Sequence, residues 1–174
     1  MLACLDFQMR DTAVAKSLDH FAAAAPALGI HSLTTLRDWL AAEPDDERAA
    51  ITLWGARYWP RAALLRHLTA YLLERAGGGD ELAGLRAWAQ TADYKRDFQG
   101  RVKGLGPTTF TRMVQQLGAD TAAPSGWTCH YVEAAIGRTP KDAELVALIN
   151  SAADYLNVGR AALDWAIRRQ QGHP

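Results

Sequence analysis

Val102-Lys103-Gly104-Leu105-Gly106-Pro107-Thr108-Thr109-Phe110 is the stretch whose reading decides the fold of this chain. An apolar residue, a Gly-x-Gly turn and a proline opening a new helical run describe two helices joined by a tight hairpin. Glycine permits the backbone angles of such a turn and lets the main chain approach a ligand closely. Proline suits the first turn of a helix, where its missing N–H would have had no intrahelical partner. A helix starting there turns its free N–H groups and positive dipole end outward, an arrangement that suits a phosphate oxygen. Lys95, Arg96, Arg101, Lys103 and Arg112 surround the turn and Asp97 alone opposes them, so five charges against one leave a local excess of four. An ordinary αα-hairpin with glycine at a helix C-terminus is the competing reading, and the flanking charges with Pro107 favour the phosphate-binding form. The expected contacts are Arg101, Lys103, Gly104, Gly106 and Thr108.

Outward from this turn the sequence reads as helix after helix, with abundant Ala, Leu and Arg and few clustered β-branched residues. Asp11 is placed to cap a helix carrying Val14, Leu18 and Phe21. Ser32 precedes the stripe Leu33, Leu36 and Leu40, and Asp45 precedes Ile51 and Trp54. Pro60 opens a run through Leu64, Leu68 and Leu72. Gly77-Gly78-Gly79 stops that run and Asp80 can cap the next. Thr139-Pro140 begins a segment with Leu145, Ile149 and Leu156, and Gly159 separates it from a last helix with Leu163 and Ile167. The expectation is an all-α fold: one compact domain of roughly ten helices spanning 1–174, with the hairpin at about 93–118 and a lobe boundary, if there is one, near 77–79.

The chain has 174 residues, 49% of them hydrophobic, with 19 basic and 19 acidic side chains. That length suffices for a substantial core, and the composition excludes a disordered chain and a polycationic nucleic-acid coat. Cys4 and Cys129 are too few for a disulfide framework or a four-thiolate metal site, which fits a reducing cytoplasm. No secretory signal or membrane span is expected. His20 and His67 lack an i, i+4 metal partner, so no metal site is expected.

The residues Lys103 to Phe110, then Leu117-Gly118-Ala119-Asp120-Thr121 and Pro124, resemble the helix-hairpin-helix DNA glycosylase superfamily. Leu163-Asp164-Trp165-Ala166-Ile167 is similar to an ending found in small bacterial members. The resemblance runs from about Leu85 onward. It implies an all-α fold, a hairpin docked on the backbone of double-stranded DNA, and a flipped base read in a pocket. It places the catalytic aspartate at Ser125, aligning on Pro124, or at Thr128, aligning on His130. The lyase lysine falls at Thr108. None of these is acidic or basic, and Asp120 matches a non-catalytic position. The C-terminus has no cysteines for an iron–sulfur cluster, so no cofactor is expected beyond a monovalent cation that the resemblance allows at the hairpin. The implied function is DNA binding in base recognition or repair, with catalysis absent or unconventional.

A second expectation is that the scaffold serves as a small-molecule enzyme or binder, with Ser125, Trp127, Thr128, His130 and Tyr131 lining a pocket. Cys129 and His130 are adjacent, about 100° apart on a helix, and poorly placed as a nucleophile–base pair. They read more simply as a buried thiol beside a partly exposed imidazole. Trp54, Tyr58 and Trp59 with Arg57 and Arg61 read as loop aromatics packed inward, with base stacking as the alternative. Asp164 reads as structural, paired with Arg160 or Arg168.

Overall fold

Caps place the helices. In the computed structural model, which describes Cys4, residues 11–123 and residues 125–170, Ser32 opens α2 (Leu33–Ala42) with a reciprocal capping box to Thr35. Asp45 caps α3 (Asp46–Trp54) by accepting from the amides of Glu47 and Arg48 at 2.9 and 3.1 Å. Asp80 accepts from Leu82 and Ala83 at the start of α5 (Glu81–Ala89). Each such cap is worth about 1 kcal/mol. α1 (Asp11–Ala24) precedes these, and α4 (Trp59–Ala76) carries Pro60 in its first turn. The cap expected from the Asp11 side chain lies outside the described residues, as does Pro124.

Beyond α5, at the start of the span 93–118 expected for the hairpin, comes a five-residue π-helical turn, Tyr94–Phe98. α6 (Pro107–Gln116) begins at the expected proline. α7 (Gly126–Ile136), α8 (Asp142–Leu156) and α9 (Arg160–Gln170) follow. α8 starts two residues later than Pro140, with Lys141 at its N-cap. The chain is all-α, and no strand occurs among the described residues. None of its described helices is long and apolar enough to cross a membrane.

The helices gather into two compact units. The first draws on the chain up to Trp88 and on Lys95–Leu105. Its core holds Leu53, Leu65, Leu68, Phe98 and Val102, with Ala49, Ala50 and Ala62 letting helices approach closely. Each large apolar side chain buried there contributes roughly 2 kcal/mol. Gly84 is required in α5: a Cβ there would sit 1.9 Å from the Ala76 carbonyl oxygen. Glu81 ties the same region together by accepting from the amides of Leu33 and Thr34 at 2.7 and 3.0 Å and from the Thr34 hydroxyl. The second unit takes Ala89–Tyr94 and the chain from Gly106 onward. Its core is Ala122, Val132, Leu145 and Ile149, with Cys129, Tyr131 and Leu163 packed against it.

Candidate phosphate-binding site

The 102–106 turn is pinned by two buried side chains, Val102 and Leu105, and by a 3.3 Å hydrogen bond from the Leu105 amide to the Val102 carbonyl. Gly104 has φ +92°, a left-handed conformation that L side chains rarely adopt, so glycine is required there. Gly106 caps α6 with extended backbone, and its carbonyl accepts from Phe110 at 3.0 Å. No side chain caps this helix end. No atom lies within 4 Å of where a Cβ would sit at Gly104 or Gly106, so the turn's backbone is open on that side.

The net excess of four is unchanged by pairing, but not every cation counted in the sequence stays available. Arg96 is bound to Asp97 by Nη2–Oδ2 and Nε–Oδ1 contacts of 2.6 and 2.8 Å, which neutralises both. Arg112 is half-buried in the second unit. Lys95, Arg101 and Lys103 are exposed and form no ion pair among the described residues. Arg101 and Lys103 line a depression of about 410 Å³ in the first unit, with His67, Ala70, Tyr71, Glu74 and Gly100. In the second unit the Thr108 hydroxyl donates to Asp142 Oδ2 at 3.3 Å, placing a carboxylate at the amino end of α6. Nothing adjacent in sequence signalled either Asp142 or His67 as a neighbour of these residues.

The residues aligned with the expected catalytic carboxylate have other work. Ser125 is the N-cap of α7: its Oγ accepts from the Thr128 amide at 3.1 Å and lies 2.6 Å from Thr128 Oγ1. Thr128 is fully buried and donates to Asp164 Oδ1 at 3.0 Å. Its single hydroxyl proton is thereby used, so the Ser125 hydroxyl donates to Thr128. Asp164 is fully buried too, and its Oδ2 accepts from Arg168 at 2.7 Å, Gln115 at 3.0 Å and the Ala123 amide at 3.3 Å. Arg168 is thus the partner chosen from the two expected, and Arg160 pairs with Asp154 instead. Asp120 accepts from the Ala161 amide at 2.9 Å, an amino-terminal contact for α9.

Of the five expected pocket residues, His130 and Tyr131 line a second depression of about 400 Å³ with Ala134 and Ala135. Ser125 and Thr128 belong to the buried hydrogen-bond chain, and Trp127 is 42% exposed. Cys129 packs on the core while His130 is exposed, which separates the two functionally. Of the first unit's aromatic-basic run, Trp54 is buried, whereas Tyr58 and Trp59 are exposed, Trp59 by 57%. No group of three or more His, Cys, Asp or Glu residues able to hold a metal ion occurs among the described residues. No family model, no curated protein and no solved structure matches the chain.

Proposed function

We propose that this chain is a DNA-binding protein of glycosylase type, acting in base recognition or repair, in which ordinary glycosylase catalysis is absent. The observation that carries the reading is the pair Arg101 and Lys103, exposed and without ion pairs among the described residues, next to an open Gly-x-Gly turn. Cations presented this way contact phosphate oxygens with little desolvation cost. Catalysis by an aspartate finds no support at Ser125 or Thr128, whose hydroxyls are committed to a buried chain ending on Asp164. Thr108, aligned with the lyase lysine, has no amine and donates to Asp142.

Duplex-DNA affinity measured against salt concentration tests the reading. Wild type should bind with a log–log slope set by the number of neutralised phosphates, and Lys103→Glu should weaken binding across all sequences and reduce that slope by about 1–2. A folded protein that binds no duplex DNA at low salt overturns the proposal.

A further inference from the structure

Helix α4 presents His67, Ala70, Tyr71 and Glu74 at i, i+3, i+4 and i+7, which is one face of a helix. This face, with Gly100, Arg101 and Lys103, lines the open 410 Å³ depression of the first unit. Room is made by the smallest residue on each side. Ala70 comes from α4, and a Cβ at Gly100 would meet no atom within 4 Å. Tyr71 holds the two sides together. Its ring packs edge-on against Phe98 at 5.3 Å between centroids, and its hydroxyl donates to the Asp97 carbonyl at 2.7 Å. That clamps the segment bearing Arg101 and Lys103 onto α4.

The charges in and around the depression are unbalanced. Glu74 is the acidic member of the lining, and Arg75 approaches it at 3.7 Å while lying 5.1 Å from the centre of the Tyr71 ring. Arg75, Arg101 and Lys103 against Glu74 leave an excess of two positive charges. His67 adds a ring donor and acceptor. A concave surface of one dominant sign focuses its field on an incoming anion.

We propose that this depression binds the terminal phosphate of a nucleotide. The assignment rests on the DNA-contact reading for Arg101 and Lys103, and extends it to His67, Ala70 and Glu74. A phosphate monoester carries close to two negative charges at neutral pH, which matches the excess of two, whereas an internal backbone phosphate carries one. The depression is open to solvent, so an attached nucleoside has space to extend outward from it. The Glu74 carboxylate, an acceptor without donors, suits the exocyclic amine of adenine or cytosine. Two sources present this chemistry, a free nucleoside monophosphate and the 5′-phosphorylated end of a DNA strand.

Fluorescence anisotropy with matched duplexes, 5′-phosphorylated or 5′-hydroxyl, tests the site alongside titration calorimetry with adenosine 5′-monophosphate and with inorganic phosphate. The 5′-phosphorylated duplex should bind about tenfold more tightly, a difference of about 1.4 kcal/mol. Ala70→Leu keeps every charge and a good helix former at an exposed position but puts an isopropyl group into the depression, so it should abolish the preference and spare the 5′-hydroxyl duplex. His67→Ala should reduce the preference without altering the melting temperature. Equal affinity for both duplexes, with nucleotide binding that Ala70→Leu removes, supports the site and assigns it to the free nucleotide. Equal affinity with no nucleotide binding overturns this proposal while salt-dependent duplex binding still upholds the DNA reading. A preference that survives Ala70→Leu also overturns it, and a folded protein binding neither DNA nor nucleotide overturns both.

Discussion

Replacing Asp164 by alanine removes the countercharge of Arg168, whose side chain is 8% exposed, from a site where Asp164 itself has no exposure. Breaking one partner of a buried ion pair costs about 3–5 kcal/mol because the other charge stays buried and unpaired. The damage is concentrated rather than spread. Gln115 retains the Thr121 carbonyl and Arg168 retains the Ala123 carbonyl, each through a separate bond at 2.8 and 2.7 Å. The buried Ala123 amide loses its bond to the carboxylate, itself a loss of about 1–3 kcal/mol, and Thr128 loses the acceptor of its hydroxyl proton. A value near 4 kcal/mol corresponds to a fall in melting temperature of roughly 8–16 °C for a chain of this size. Urea denaturation followed by circular dichroism measures the change. Asp164→Leu combined with Arg168→Met removes both charges and should be less destabilising than Asp164→Ala, since no charge is left stranded. Additive losses in the double variant, or a loss below about 1 kcal/mol for Asp164→Ala, would refute the account of a charge-compensated core.

Asp142→Asn removes a negative charge from beside Thr108, so duplex affinity at low salt should rise about two- to fivefold, as expected of charge near a helix start; unchanged or weaker binding places the phosphate contact elsewhere. Ser125→Ala should cost about 1 kcal/mol as a lost N-cap. Ser125→Asp should cost more at neutral pH than Ser125→Ala, despite aspartate being a good cap. It replaces the proton donor to Thr128 with an acceptor and aligns two carboxylates on one hydroxyl. A Ser125→Asp protein as stable as wild type contradicts that hydrogen-bond order. The Thr34 hydroxyl, helped by the amides of Leu33 and Thr34, holds the Glu81 carboxyl below the usual range. Its stabilisation is therefore full above the unfolded-state pKa of about 4.3 and is lost as pH falls through the lower folded value. Glu81→Gln should flatten the acid limb of stability below about pH 5, as read from urea midpoints, and an identical limb in both proteins rejects the linkage.

Helix identity was legible because its causes are local. Ser32, Asp45 and Asp80 act on amides two or three residues away, and Gly104 with Pro107 determines its own turn. The i, i+4 pairing of Asp164 with Arg168 lies within one helix, and it too was open to a reading of spacing. The count of charges around the turn was also local, but its meaning was not. Arg96 spends its charge on Asp97, a choice of rotamer that composition does not state. For Ser125 and Thr128, sequence alignment established that no carboxylate is present. It could not establish that both hydroxyls feed a buried aspartate 36 residues beyond Thr128.

The sequence by itself therefore determined an all-α chain, the caps at Ser32, Asp45 and Asp80, and a basic Gly-x-Gly turn, since each depends on residues within about one helical turn of one another. Tertiary structure decided which of those charges remain available and what faces them. Asp142 reaches Thr108 across 34 residues, and His67, Tyr71 and Glu74 join Arg101 and Lys103 from a different helix. Those meetings follow from how the helices within each unit pack, a property of buried side-chain shape that no spacing rule along the chain encodes.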